Sequence, residues 1–421
     1  MELAAAKPLK GQRCQVVISL LLLSGLYLPT SVGGDISKSL MAIAYFGVFC
    51  LYLYLVWANG SDEDQFLFFS MPIVMVIIGA TFLSRVHVFG IGVLWFYVPI
   101  ALLYSTRLRS LRFGSRCRIL FLACNLMNVT LGVSAIFHIE FVNALVISHY
   151  SNFFPELVPT MLALGKPIMT FATHSLAAFF LFLFFWLNFR TYLCTRRPLF
   201  LIFAICYMVL EPCLVSVSGF GFALLALLVM AIHVWAKKPA VVVAGLVVAL
   251  LLLPRIAHAV YNPIENWQDL LQVARPAFTA PGEGFLGRYG SQGNNAENLR
   301  YVYDHPFSPT GLTTAENLFI GDSGPVEYLL RGSVVLLVLM YVGLFRFLRR
   351  NLVRTSDLYV LFVAILAMEL GFTSLTYVRM LYLLPVAVIY LNSLERPEAD
   401  ATLQGASGLV PACLLHKVSS T

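Results

Sequence analysis

Residues 255–322 hold Arg275, Arg288, Arg300 and His305 among Glu265, Asp269, Glu283, Glu297, Asp304 and Glu316, a density of ionisable groups that most of the chain lacks. Arginine presents a planar fork of donors that fits phosphate oxygens two at a time, and a lysine such as Lys166 adds a point charge, so the set suits a diphosphate at a membrane edge. An imidazole, which titrates near neutral pH, suits removal of a proton from an incoming hydroxyl, and His305 is the candidate for that step. Plainer explanations stand beside these. Arg300 and Asp304 are spaced i and i+4 on a helix and account for each other as a surface ion pair. Each arginine of the loop suits a lipid headgroup as well as a substrate. His174 reads as a polar packing residue, and His138 and His149 as structural. Within the apolar runs Glu211 and Glu369 stand out, because a carboxylate inside a membrane is costly and marks either a function or a buried partner, for which Arg331 and Arg379 are candidates.

The elements that must position these groups are membrane helices. Over 421 residues the chain is 59% hydrophobic and 12% charged, against roughly 25% charged in soluble domains. Apolar runs of about 17 to 20 residues recur, long enough to cross roughly 30 Å of hydrocarbon as helices, and the alternation of a transmembrane barrel is absent. The spacing predicts spans at 16–32, 39–57, 66–83, 91–105, 119–137, 168–188, 198–215, 220–235, 241–257, 326–345, 358–374 and 378–394. The fold class is therefore an all-α polytopic membrane protein of about twelve helices with one large periplasmic loop late in the chain. Residues 1–257 form membrane helices one to nine, 258–323 the loop, 324–396 the last three helices, and 397–421 a cytoplasmic tail.

Orientation follows from the arginines. Arg107, Arg109, Arg112, Arg116 and Arg118 crowd one short connection, and Arg346, Arg349, Arg350 and Arg354 another. Both are assigned to the cytoplasm, with both termini, and the polar stretch at 258–323 then faces outward. The net charge of +7 reports this topology and not a nucleic-acid partner. The eight cysteines fall in spans or cytoplasmic connections, so no external disulfide is expected, and none has zinc-site spacing. Within the loop, 263–273 has the spacing of a helix lying on the membrane surface, 276–293 is rich in Pro and Gly, and 295–303 regains helical character that Pro306 stops.

The segment from Asn298 through Arg300, Asp304, His305, Pro306 and Phe307, then Thr310-Gly311-Leu312, then Asp322-Ser323-Gly324-Pro325-Val326-Glu327 to Arg331-Gly332, resembles the last large periplasmic loop of Wzy-type polysaccharide polymerases and O-antigen ligases. Gly165-Lys166-Pro167 leading to Thr173-His174-Ser175 resembles the entry to that family's middle span. Two positions depart from the pattern: Ser216-Val217-Ser218-Gly219 lacks an arginine, and the Gly-x-Gly after His-Pro is reduced to Thr310-Gly311. The resemblance implies metal-independent, cofactor-free, inverting glycosyl transfer from an undecaprenyl-diphosphate-linked oligosaccharide at the periplasmic face of a bacterial inner membrane. It implies that Arg288 and Arg300, with Arg275, Lys166 and Asp322, bind substrate and that His305 acts on the acceptor hydroxyl. Membrane lipid, a chain-length regulator and a flippase are the partners it implies.

The expected function is thus polymerisation of lipid-linked repeat units into O-antigen or exopolysaccharide. The alternatives are an O-antigen ligase, which shares the donor chemistry and differs in its acceptor, and a twelve-helix secondary transporter. The transporter is disfavoured because such proteins show two similar halves with a long cytoplasmic link, whereas the large loop here is external and late.

Overall fold

The computed structural model describes residues 6–29, 35–58, 63–86, 88–90, 92–151, 155–235, 295–314, 318 and 323–395. Helices dominate, as expected: α1 (Ala6–Tyr27), α2 (Asp35–Ala58), α3 (Glu63–Leu83), α4 (Gly92–Ser105), α5 (Ser115–Ile136), α6 (Glu140–Tyr150), α7 (Leu157–Ala163), α8 (His174–Thr195), α9 (Pro198–Cys213), α10 (Val217–Trp235), α11 (Ala296–Asp304), α12 (Gly324–Asn351), α13 (Thr355–Glu369) and α14 (Val378–Leu394). Four of them, α3, α5, α8 and α12, are long and apolar enough to cross a membrane, and six shorter apolar helices accompany them among the described residues. The chain is an all-α membrane protein. The expected span at 241–257 and surface helix at 263–273, with Arg275, Arg288 and Asp322, lie outside the described residues.

Packing follows from which helices are apolar all round. In α8 every residue from Ser175 to Thr191 is buried, and in α14 every residue from Arg379 to Ser393, as a helix without a polar face requires. α9 and α10 pack on α8, and α1 packs on α14. Phe121 of α5 stacks on Phe184 of α8 at 5.6 Å and meets Tyr390 of α14 at 4.4 Å, which joins the two central helices through a third. By contrast α3 and α12 leave Phe82, Val334, Val335, Val338 and Val342 exposed, apolar faces suited to lipid.

Three features depart from the sequence expectation. The sixth helix begins at His174 and not near 168, because Gly165 (φ +68) closes α7: Gly165 N donates to Leu162 O and Lys166 N to Met161 O, a Schellman turn that Pro167 keeps from continuing. The Thr173 hydroxyl then caps α8 by accepting from Leu176 N, so His174 heads the helix instead of lying within a span. The stretch between the expected fifth and sixth spans, given no structure from sequence, carries α6 and α7. Finally, α12 is broken at Gly332 and Ser333, where Ser333 has φ +61 and ψ −167, a conformation that costs a residue with a Cβ on the order of 1–3 kcal/mol.

Candidate functional site

The break in α12 frees the carbonyls of Leu330 and Arg331, and residues 310–313 of the late loop satisfy them. Thr310 N donates to Leu330 O at 2.8 Å and Gly311 N to Arg331 O at 3.0 Å. Opposite, Leu312 N donates to the Thr81 hydroxyl at 3.0 Å, Ser84 and Thr313 share a hydroxyl bond at 2.6 Å, and Gly90 N donates to Leu312 O at 2.8 Å. A two-residue antiparallel ladder completes the join, β1 (Val88–Phe89) with β2 (Thr313–Thr314). Gly311 sits so close to Thr81 N that a Cβ would stand 2.4 Å away, and its φ of +55 suits glycine. This part of the expected solvated loop is therefore a buried strap between α3 and the two halves of α12.

Arg331 locks the strap. Its Nε donates to Glu327 Oε1 at 2.9 Å, and its Nη1 donates to Gly311 O at 3.1 Å and Thr313 O at 2.5 Å. The carboxylate partner of Arg331 is thus its own i−4 neighbour, not Glu211 or Glu369. Arg379, at the head of α14, also has a different role: Nε donates to Gly25 O at 2.8 Å, Nη1 to Thr170 O at 2.7 Å, and Nη2 to Leu26 O, with the guanidinium 4.0 Å above the Phe171 ring. It caps the last carbonyls of α1, where the helix dipole favours a cation.

Glu369 is fully buried at the end of α13, with its Oε1 accepting from the Ser374 hydroxyl and Leu375 N, both at 2.7 Å. Oε2 faces the amino end of α12, an arrangement that helix dipoles favour for an anion, so closely that a Cβ on Gly324 would lie 1.7 Å from it. Gly324→Ala is therefore expected to lower the thermal unfolding midpoint of the purified protein, by about 1–3 kcal/mol of stability. A second change, Glu369→Asp, should recover part of the loss by withdrawing the carboxylate one methylene. Glu211, also fully buried, has no hydrogen-bond partner for either carboxylate oxygen among the described residues.

The sequence-predicted residues separate as follows. Arg300 lies on α11 and His305 is the capping residue just past its end, but Arg300 points outward with 84% of its side chain exposed and only a loose ion pair to Asp304 at 3.9 Å. His305 is half-buried and closes the helix: its backbone N donates to Tyr301 O at 2.9 Å, its ring stacks on Tyr301 at 4.8 Å, and Nδ1 stands 3.3 Å from the same carbonyl. A carbonyl can only accept, so this contact puts a hydrogen on Nδ1, and in the neutral form of the ring the lone pair then falls on Nε2. Lys166 is half-buried in the turn after α7, on another part of the chain. Thr310-Gly311-Leu312 and Glu327 were quoted for the resemblance but given no structural role from sequence, although two signals were there: Glu327 and Arg331 at i and i+4, and a Gly332-Ser333 pair inside an apolar run. Among the described residues no group of three or more His, Cys, Asp or Glu gathers as a metal site.

No family model matches the sequence, no curated protein matches it, and no solved structure matches it.

Proposed function

We propose that the chain is an inner-membrane glycosyltransferase of about twelve spans, with both termini cytoplasmic and the 258–323 loop periplasmic, that polymerises undecaprenyl-diphosphate-linked oligosaccharide units. The observation that carries this reading is the contact that His305 makes with Tyr301. Its Nδ1 is engaged by Tyr301 O, so Nε2 is left as the proton acceptor that an incoming sugar hydroxyl needs. Arg300, on the helix that His305 closes and open to solvent, supplies a guanidinium for the diphosphate leaving group. The sequence resemblance supplies the substrate class, and Arg288, Arg275 and Asp322 keep the substrate-binding roles it implies.

Inverting transfer then needs little more than position. The acceptor hydroxyl attacks the anomeric carbon and loses its proton to His305, while the lipid diphosphate departs with the glycosidic electron pair. Arg300→Ala and Arg300→Lys should both lower polymer formation, by about a hundredfold for a lost contact to developing charge, because an ammonium cannot reproduce a bidentate grip. His305→Ala should lower turnover more than donor binding. Polymer of normal length and amount in these variants, with protein levels unchanged, would remove both residues from the reaction.

Among the described residues the broken α12 favours a transporter, since discontinuous helices hold substrates and ions in such proteins. Here, however, the freed carbonyls are already taken by Thr310 and Gly311. Gel analysis of surface glycan after gene deletion separates the readings: single repeat units on the final carrier mean a polymerase, long chains left on the carrier lipid mean a ligase, and normal glycan means transport.

A further inference from the structure

α11 and the strap are joined by a closed turn. Ser308 N donates to His305 O at 3.0 Å, and the Tyr301 hydroxyl reaches Ser308 O at 3.0 Å. The ring of Tyr301 is the same one on which His305 stacks, so one residue ties the imidazole, the helix and the turn together. Beyond the turn, Thr310 begins the strap, whose carbonyls at Gly311 and Thr313 are gripped by Arg331.

We infer that Arg331 is a positioning residue for His305, acting through the strap and the Tyr301–Ser308 bond. The guanidinium is suited to this because it bonds Glu327 on one side and two strap carbonyls on the other. A lysine could hold one of these sets but not both. Geometry also gives the direction of action. The break at Gly332–Ser333 is what exposes Leu330 O and Arg331 O, so strap and break require each other, and α11 packs on the same helix. The catalytic part of the inference rests on the reading of α11 given above, while its mechanical part does not.

Hydrogen exchange on the full chain in phospholipid nanodiscs tests the mechanical part. In Arg331→Ala, amides of 310–313 and of α11 should exchange about tenfold faster or more, with α8 and α14 unchanged. Tyr301→Phe, which removes only a hydroxyl, should loosen α11 and the turn while the strap keeps its protection. Glu327→Gln should leave the strap protected, because Arg331 keeps its carbonyl contacts, and Arg331→Lys should recover part of what alanine loses. Unchanged protection of 310–313 in Arg331→Ala overturns the inference, as does a loosened strap beneath an unchanged α11. Equal effects of Glu327→Gln and Arg331→Ala also overturn it, since the ion pair alone would then be the support.

The catalytic part is read from turnover of a lipid-linked donor. Tyr301→Phe should lower kcat about tenfold with KM changed by no more than about twofold, since it displaces His305 without touching Arg300. Exchange effects as expected with turnover intact would uphold the strap and overturn the placing of chemistry on α11, which separates failure of this inference from failure of the proposed function.

Discussion

Replacing Arg379 with alanine is expected to prevent recovery of folded protein. The change leaves Gly25 O and Thr170 O without their donor, and Leu26 O with only the Thr170 hydroxyl, inside a region where the arginine itself is 1% exposed. Each such group costs about 1–3 kcal/mol, and the space over Phe171 empties as well. The sum is a large part of a typical stability of about 5–15 kcal/mol. Size-exclusion profiles and unfolding midpoints in detergent measure the loss. Arg379→Lys should fall between wild type and alanine, because one ammonium cannot serve carbonyls on both α1 and the 168–173 segment. An alanine variant with the wild-type midpoint would show that α1 does not depend on this cap.

The second large effect is at the opposite end of the bundle. Arg190 of α8 donates to Asp357 Oδ1 of α13 at 2.7 Å and to Glu395 Oε1 at 2.6 Å, and Arg354 also reaches Glu395 at 2.7 Å. Arg190 and Asp357 have side chains only 1% and 2% exposed. Removing one partner of a pair so buried strands the other charge, and Arg190→Ala is expected to cost about 3–5 kcal/mol. Arg190→Met with Asp357→Leu should cost less than Arg190→Ala alone, because no buried charge is left behind. A double variant worse than Arg190→Ala would show instead that the pair contributes net stability beyond its own desolvation.

These two sites also mark how far the sequence could be read. α14 runs from Val378 to Leu394, as its apolar run indicated, and the helical character at 295–303 is realised as Ala296–Asp304. Both are local patterns closed by local signals. The strap was not legible, because Ser308-Pro309-Thr310-Gly311-Leu312-Thr313-Thr314 reads as a polar surface loop, and what buries it is Thr81 and the carbonyls of a helix whose break is itself a response to the strap. Arg331 and Arg379 were legible as buried cations needing partners. Their actual partners were not: one took the carboxylate one turn away and the other took helix-end carbonyls, which no side-chain tally counts. Of the site, Arg300 falls on the expected helix and His305 caps its end, Lys166 falls on a separate turn, and Arg275, Arg288 and Asp322 lie outside the described residues.

The cap on α1 has a consequence in time. Arg379 lies 354 residues after Gly25, and at about 5–20 residues per second that interval is on the order of half a minute of synthesis. Arg190 likewise precedes Asp357 by 167 residues. α1 and α8 therefore both wait for α13 and α14 to be made, α1 with open carbonyls and α8 with an uncompensated cation. Both sites close only once α13 and α14 exist, and a chain that stops before α13 leaves those carbonyls and that cation unmatched.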